Sequence, residues 1–239
     1  MDFPLKPHTL STLSPTLIHN NTNIQVDYES MSKVKGEKLW IIGNLPFYIT
    51  SQILFCLVDY KSSIDRAVVT AQLEVAKRIV ANPGDTDYSI LSVVLQLYAT
   101  PKLLFTIPNY AFYPKPKVHS GVISLAFDPE KQPKCAPLIL KRILKDSFGQ
   151  RRKKLKTSLS QFLEQQEIES LPHPLPDMRP QQLSPNEFES LALWIEKNGN
   201  FTATPKSYKL SDNRRLRTRM GPEALEISPR IWRQEKHGE

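Results

Sequence analysis

Four consecutive residues, Asn44-Leu45-Pro46-Phe47, combine groups that one kind of nitrogen chemistry needs. The exocyclic amino group of adenine is a poor nucleophile because its lone pair is delocalised into the ring. Two hydrogen-bond acceptors aimed at its two N–H bonds localise that pair, and no strong general base is then required. The side-chain oxygen of Asn44 and the backbone carbonyl of Leu45, held open by Pro46, can be those acceptors, with Phe47 stacking on an extruded base. The bland alternative is that Asn44 caps the following helix and Phe47 packs in the core. Taken alone, the tetrapeptide leaves both readings open.

Two other stretches carry chemistry-bearing side chains. Residues 108–117 hold Tyr110, Phe112 and Tyr113 among Pro108, Pro114 and Pro116, together with Lys115 and Lys117. Prolines fix φ, so such a loop presents a ring with little ordering entropy lost on binding. Phe112 is then either a second wall for a flipped base, with Lys115 and Lys117 on backbone phosphates, or part of a rigid turn whose aromatics pack on a sheet. Further on, Gln150-Arg151-Arg152-Lys153-Lys154-Leu155-Lys156 places five cations in seven residues, ahead of an apolar stripe at Leu155, Leu159 and Phe162. A basic face backed by such a stripe suits phosphate contacts on structured RNA, the alternative being a plain solvated face.

The elements that must position these groups follow from hydrophobic pattern. Residues 39–43 are uncharged and rich in β-branched and aromatic side chains, which reads as a central strand buried on both faces. Pro46 ends its ladder and leaves the tetrapeptide at the carboxyl end of the strand, the edge where open α/β sheets bind ligands. A helix is expected over 51–59, with Thr50 or Ser51 as cap and Ile53, Leu54, Leu57 and Val58 on one face. A strand over 66–72 leads to a helix over 73–81 that stops at Asn82-Pro83-Gly84, on which Glu74, Lys77 and Arg78 form a solvated face. Residues 90–98 fit helix or strand, and strands over 103–107 and 118–127 flank the proline-rich loop as an antiparallel pair. Composition changes at 133. A helix over 137–148, a proline-rich connector over 172–180 and an amphipathic helix over 185–197, ended by Asn198-Gly199, complete the pattern. Near the start, residues 23–26 read as a short strand.

Composition narrows the class. The 239 residues, 40% hydrophobic and 23% charged, suffice for a core and a small second unit. No apolar run approaches the length that crosses a membrane, and the N-terminus lacks the basic-then-apolar order of a secretory signal. Cys56 and Cys135 form no C-x-x-C pair, so neither a disulfide framework nor a metal site is expected. A net charge of +8 favours an anionic partner, of which nucleic acid is the natural candidate. Residues 1–21 read as an irregular leader. Residues 200–239, with Arg214-Arg215-Leu216-Arg217-Thr218-Arg219, read as a basic disordered tail that adds non-specific RNA affinity.

Asn44-Leu45-Pro46-Phe47 also resembles motif IV of the KsgA and mitochondrial-transcription-factor-B family of ribosomal RNA adenine N6,N6-dimethyltransferases. Gln72-Leu73-Glu74-Val75-Ala76-Lys77-Arg78, Tyr88-Ser89-Ile90-Leu91-Ser92-Val93 and Phe112-Tyr113-Pro114-Lys115-Pro116-Lys117-Val118 resemble further segments of that family. So do Gln150-Arg151-Arg152-Lys153 and Arg179-Pro180-Gln181-Gln182-Leu183-Ser184, in the family's order, so that the resemblance covers about residues 17–198. It implies an α/β fold: the Rossmann-like sheet of a class I S-adenosylmethionine-dependent methyltransferase, lacking its N-terminal half, with a small helical C-terminal domain. The corresponding divisions are 1–21, 22–132, 133–199 and 200–239.

The implied activity is N6,N6-dimethylation of adenosine in small-subunit ribosomal RNA, with S-adenosyl-L-methionine as methyl donor. The implied catalytic set is Asn44, Leu45, Pro46, Phe47 and Phe112, with Asn44 also touching the donor. Lys115, Lys117, Arg151, Arg152, Lys153 and Lys154 are the implied RNA contacts, and no metal is implied. The partner is the pre-ribosomal small subunit, the chain acts as a monomer away from membranes, and an organelle, mitochondrion or plastid, is favoured over the cytoplasm. Two departures stand out. Thr22 occupies the position of a family acid that contacts the adenine of the donor, and the eight glycines begin at Gly36, with no G-x-G after a strand. The expectation is therefore an N-terminally incomplete member with an open sheet edge. An RNA-binding assembly or transcription-factor-like relative that no longer methylates is the main alternative. A DNA N6-adenine methyltransferase is disfavoured by the motif wording and the C-terminal match.

Overall fold

A computed structural model describes residues 18–20, 23–25 and 28–200. Within them β1 (Ile18–Asn20) and β2 (Asn23–Gln25) pair antiparallel, the second on the short strand expected there. Thr22, residues 1–17 and residues 201–239 lie outside the described set, and with them the donor-adenine position, most of the leader and the tail. Helix α1 (Tyr28–Lys35) is one that hydrophobic pattern did not suggest. An i,i+4 pair between Glu29 and Lys33 at 2.7 Å supports it, and Gly36 ends it at φ 70°, where a side chain would be strained. Tyr28 packs its ring edge-on against Tyr60, with centroids 5.4 Å apart.

The sheet follows. β3 (Leu39–Asn44), β4 (Ile64–Gln72), β5 (Thr100–Ile107) and β6 (Ser120–Ala126) lie in the order β3-β4-β6-β5, with β3 and β4 parallel and β6 antiparallel to both its neighbours. The expected antiparallel pair thus flanks the proline-rich loop. The placement of β3 corrects the sequence reading. Among the described residues it is an edge strand, and Trp40 and Ile42 are 59% and 68% exposed while Leu39 is buried. An apolar run shows that a strand forms but not how many partners it has. Among the described residues only β4 pairs with it, and the Arg66 guanidinium lies 5.4 Å from the Trp40 ring centroid.

Helices α2 (Thr50–Asp59), α3 (Leu73–Val80) and α4 (Ile90–Tyr98) connect these strands. Neither Thr50 nor Ser51 caps α2 as expected. The helix grows directly out of a 3-10 turn at Phe47–Ile49, and the Thr50 hydroxyl donates back to the Pro46 carbonyl at 2.9 Å. Its buried face includes Phe55 beside Leu54, Leu57 and Val58. In α4 a capping box of Ser89 and Ser92 settles the ambiguous segment as helix. The Ser92 hydroxyl donates to the Arg78 carbonyl, and Gln96 Nε2 donates to the carbonyls of Ile79 and Ala81 at 3.1 and 2.9 Å. The frayed end of α3 is thereby satisfied by α4. Glu74 and Arg78 pair on the exposed face of α3.

The C-terminal part is helical: α5 (Pro137–Gly149), α6 (Leu155–Ser158), α7 (Ser160–Gln165) and α8 (Pro185–Asn198), the last started by a capping box of Ser184 and Glu187. Leu155, Leu159 and Phe162 are buried, as the stripe required, but across two short helices. Their core is not separate from the sheet unit. Tyr88, Val93 and Leu97 of the α4 region cluster with Ile143, Leu155, Phe188 and Leu191. Each such side chain contributes roughly 1.5–3 kcal/mol by burial. The Tyr88 hydroxyl donates to the Leu183 carbonyl at 2.8 Å, and burial pushes its pKa far up.

Candidate functional site

Strand register fixes where the chemistry-bearing residues meet. Asn44, the last residue of β3, stands opposite Thr70, which stands opposite Val122, while Gln72 pairs with Ser120 and Ser120 with Ile107. The carboxyl ends of β3, β4 and β5 and the start of β6 therefore share one edge. Residues 108–119 connect β5 to β6 across that edge. Interstrand spacing places β6 about 10 Å from β3. The tetrapeptide and the aromatic loop, 68 positions apart from Asn44 to Phe112, are brought to the same end of the sheet.

The local folding of the tetrapeptide pins its backbone and leaves the Asn44 residue exposed. The Leu45 N–H continues the ladder to the Thr70 carbonyl at 2.9 Å, and its side chain is buried, which pins the backbone. Pro46, extended at φ −60° and ψ 130°, stops the strand, and its carbonyl accepts from the Ile49 N–H and the Thr50 hydroxyl. Asn44 is exposed and caps no helix, while Phe47 is half-buried and outside the core. The bland reading of the motif thus does not describe this chain. Exposed Asn44 and the half-buried Phe47 ring stand at the sheet edge.

The loop is braced from within. Asn109 donates its backbone N–H to His119 Nδ1 at 3.1 Å and its side-chain amide to the Pro116 carbonyl at 3.3 Å, and a 3-10 turn at Asn109–Ala111 tightens its start. Phe112 is half-buried, whereas Lys115 and Lys117 are exposed. Asn109, and the exposed Tyr48 next to Phe47 in the chain, were missed by sequence reasoning. A polar amide directly after Pro108 at the mouth of a loop was the available signal for the first.

The basic run divides. Residues 151–153 form a turn rather than a helix face, with α6 starting only at Leu155. Arg151 points inward, Nε donating to Gln181 Oε1 at 3.2 Å and Nη2 to the Asp85 carbonyl at 3.0 Å. The Gly84 N–H closes the same contact on the Gln181 carbonyl. Lys154 and Lys156 both bind Asp177 Oδ1, at 2.9 and 3.0 Å, and hold that carboxyl down to about 2. Arg152 and Lys153 are exposed and make no ion pair among the described residues. Arg151 ties this turn to the α3–α4 loop, at the far end of α3 from the sheet edge, so it is not brought to the tetrapeptide.

The face of β3 that Asn44 shares is open: Trp40 and Ile42, at alternate positions before it, are exposed. No loop among the described residues cradles a nucleoside there, so these residues fit a base-holding edge and do not enclose a whole S-adenosylmethionine. No group of three or more His, Cys, Asp and Glu side chains is placed to hold a metal among the described residues. No described helix is long and apolar enough to cross a membrane.

This sheet order, with an antiparallel closing pair and an Asn-Leu-Pro-Phe turn at the carboxyl edge, defines a Rossmann-like methyltransferase fold. A crystal structure of a dimethyladenosine transferase from Plasmodium falciparum superposes on it with a TM-score of 0.59, at 23% identity, covering 66% of this chain and 67% of that one. The model of the family described as "Ribosomal RNA adenine dimethylase" matches residues 9–197, and the chain belongs to that family. It is 39% identical over 175 residues to the ribosomal RNA small subunit methyltransferase A of Salinibacter ruber, covering 73% of this chain and 59% of that protein. To the protein of the same name from Porphyromonas gingivalis it is 41% identical over 162 residues, covering 68% and 62%. The chain therefore spans about three-fifths of the length of these relatives.

Proposed function

We propose that this chain carries the base-holding part of an enzyme that dimethylates N6 of adenosine in small-subunit ribosomal RNA, with S-adenosyl-L-methionine as methyl donor. The observation that carries the reading is the placement of exposed Asn44, with the pinned Leu45 backbone beside it, at the sheet edge that also bears Phe112. The Asn44 amide oxygen and the Leu45 carbonyl take the two N–H bonds of the extruded adenine and localise the nitrogen lone pair. Phe47 and Phe112 hold the ring from its faces. Exposed Lys115, Lys117, Arg152 and Lys153 meet backbone phosphates, while Lys154 is shared with Asp177. Family membership and the names of the relatives support the substrate class.

Asn44→Ala removes an acceptor that matters mainly in the transition state. Methylation of small-subunit RNA should fall by at least about a hundredfold with RNA affinity little changed. Near-wild-type single-turnover rates would refute the role of Asn44. One observation favours a second reading, an RNA-binding relative that does not methylate: the open face of β3 that Asn44 shares. Calorimetric titration of the purified chain with S-adenosylmethionine tests the second reading. Micromolar binding followed by methyl transfer excludes it.

A further inference from the structure

We propose that Tyr110 and Tyr113 form a stacking platform for the unpaired nucleotides that flank the target adenosine, an inference that rests on reading this edge as an RNA site. Tyr110 is 76% exposed and Tyr113 102%, so neither ring is packed against the fold. Phe112, between them, is half-buried and belongs to the base-holding set. The loop that carries the rings is stiff. Pro108, Pro114 and Pro116 fix three φ angles, and the two hydrogen bonds of Asn109 close its base. Rings held this way lose little freedom when something stacks on them, so their exposure is poised for a ligand.

Charge selects the ligand. Residues 108–119 contain no acid and include Lys115 and Lys117. A strand of unpaired nucleotides offers a π-face at each base and an anion at each linkage, which matches rings interleaved with cations. An apolar protein surface matches the rings alone. Tyr48, 71% exposed on the 3-10 turn after Pro46, adds a third ring at the same sheet edge. Five aromatic side chains along one edge thus divide the work, with Phe47 and Phe112 taking the adenine and the outward tyrosines its neighbours.

The test is binding of a short single-stranded RNA, carrying one adenosine between 2-aminopurine nucleotides, to the whole chain by fluorescence anisotropy. Tyr110→Ala and Tyr113→Ala should each weaken binding about tenfold, within the range of one base–aromatic stack. Tyr113→Phe should bind as wild type, since the ring and not the hydroxyl stacks. Wild type should quench 2-aminopurine emission and the alanine variants should not. With abasic nucleotides in the flanking positions the wild type and the alanine variants should bind alike. Unchanged affinity of the alanine variants, or a loss that persists on abasic RNA, overturns the inference while leaving the proposed function intact. A wild-type chain that does not bind RNA overturns both. Self-association abolished by Tyr113→Ala would assign the rings to a second copy and overturn the inference alone.

Discussion

Gly121→Ala should loosen the contact on which the aromatic loop is built. A Cβ at this position of β6 would lie 2.7 Å from the Ala76 Cβ, 3.1 Å from Leu103 Cδ1 and 3.5 Å from Leu73 Cδ1. Carbon pairs rest at about 3.5–4.0 Å, so the first contact is short by about 1 Å. The leucine methyls sit at the ends of rotatable side chains and can give way, but both Cβ atoms are fixed to backbone. Helix α3 must therefore lift off the sheet. Its first residue donates from the Leu73 N–H to the His119 carbonyl at 2.9 Å, so the lift pulls on the end of the loop. Overpacking of this kind costs about 1–3 kcal/mol. For a chain of this size that lowers the melting temperature by about 2–12 °C, at about 2–4 °C per kcal/mol. Ala76→Gly should relieve the clash. Alone it costs about 0.5–1 kcal/mol for a glycine inside a helix, and the double variant should be nearly as stable as Ala76→Gly itself. Thermal unfolding of the four proteins followed by circular dichroism closes the cycle. A Gly121→Ala protein within about 0.5 kcal/mol of wild type, or strict additivity in the double variant, would refute the argument.

Changing Arg152 and Lys153 together to Gln should flatten the log–log salt dependence of RNA binding by about 1.4–1.8, two contacts at about 0.7–0.9 each, and an unchanged slope would show them to be solvated only. Arg151→Gln should leave that slope in place and instead destabilise the fold, by about 1.5–3 kcal/mol for a charged hydrogen-bond donor. Burial pushes the phenols of Tyr28 and Tyr98 up to about 12, so the fold holds them neutral while the unfolded chain ionises near its ordinary value of about 10. Their contribution to stability is complete below about pH 10 and is lost as pH rises toward about 12. Urea midpoints across that window should fall, with phenolate absorbance appearing late, and a flat profile would count against it.

Much of this architecture was legible because local pattern and tertiary role agreed. The proline after Leu45 marked the end of β3, Asn82-Pro83-Gly84 marked the end of α3, and Asn198-Gly199 marked the end of α8. The tetrapeptide and the aromatic loop were also found from sequence, and the sheet register then placed them on one edge. What local pattern could not carry was pairing. Trp40 and Ile42 read as buried because they are apolar, yet their exposure depends on what lies beside β3. The run 151–154 read as four equivalent cations, while Asp177 and Gln181, 23 and 30 positions away from Lys154 and Arg151, divide them into internal ties and free charges. Helix α1 was missed because Tyr28 and Met31 are its main apolar contacts, too few to show a period.

The shared core also sets a schedule for synthesis. The Tyr88 hydroxyl waits for the Leu183 carbonyl, 95 positions later in the chain. At about 5–20 residues per second that interval lasts about 5–20 s, during which Tyr88, Val93 and Leu97 have been made and their covering helices have not. A nascent chain in this window displays an apolar patch that the finished protein hides completely. Slow translation between residues 98 and 183 should therefore lower the yield of folded protein, and a holdase acting on that interval should restore it.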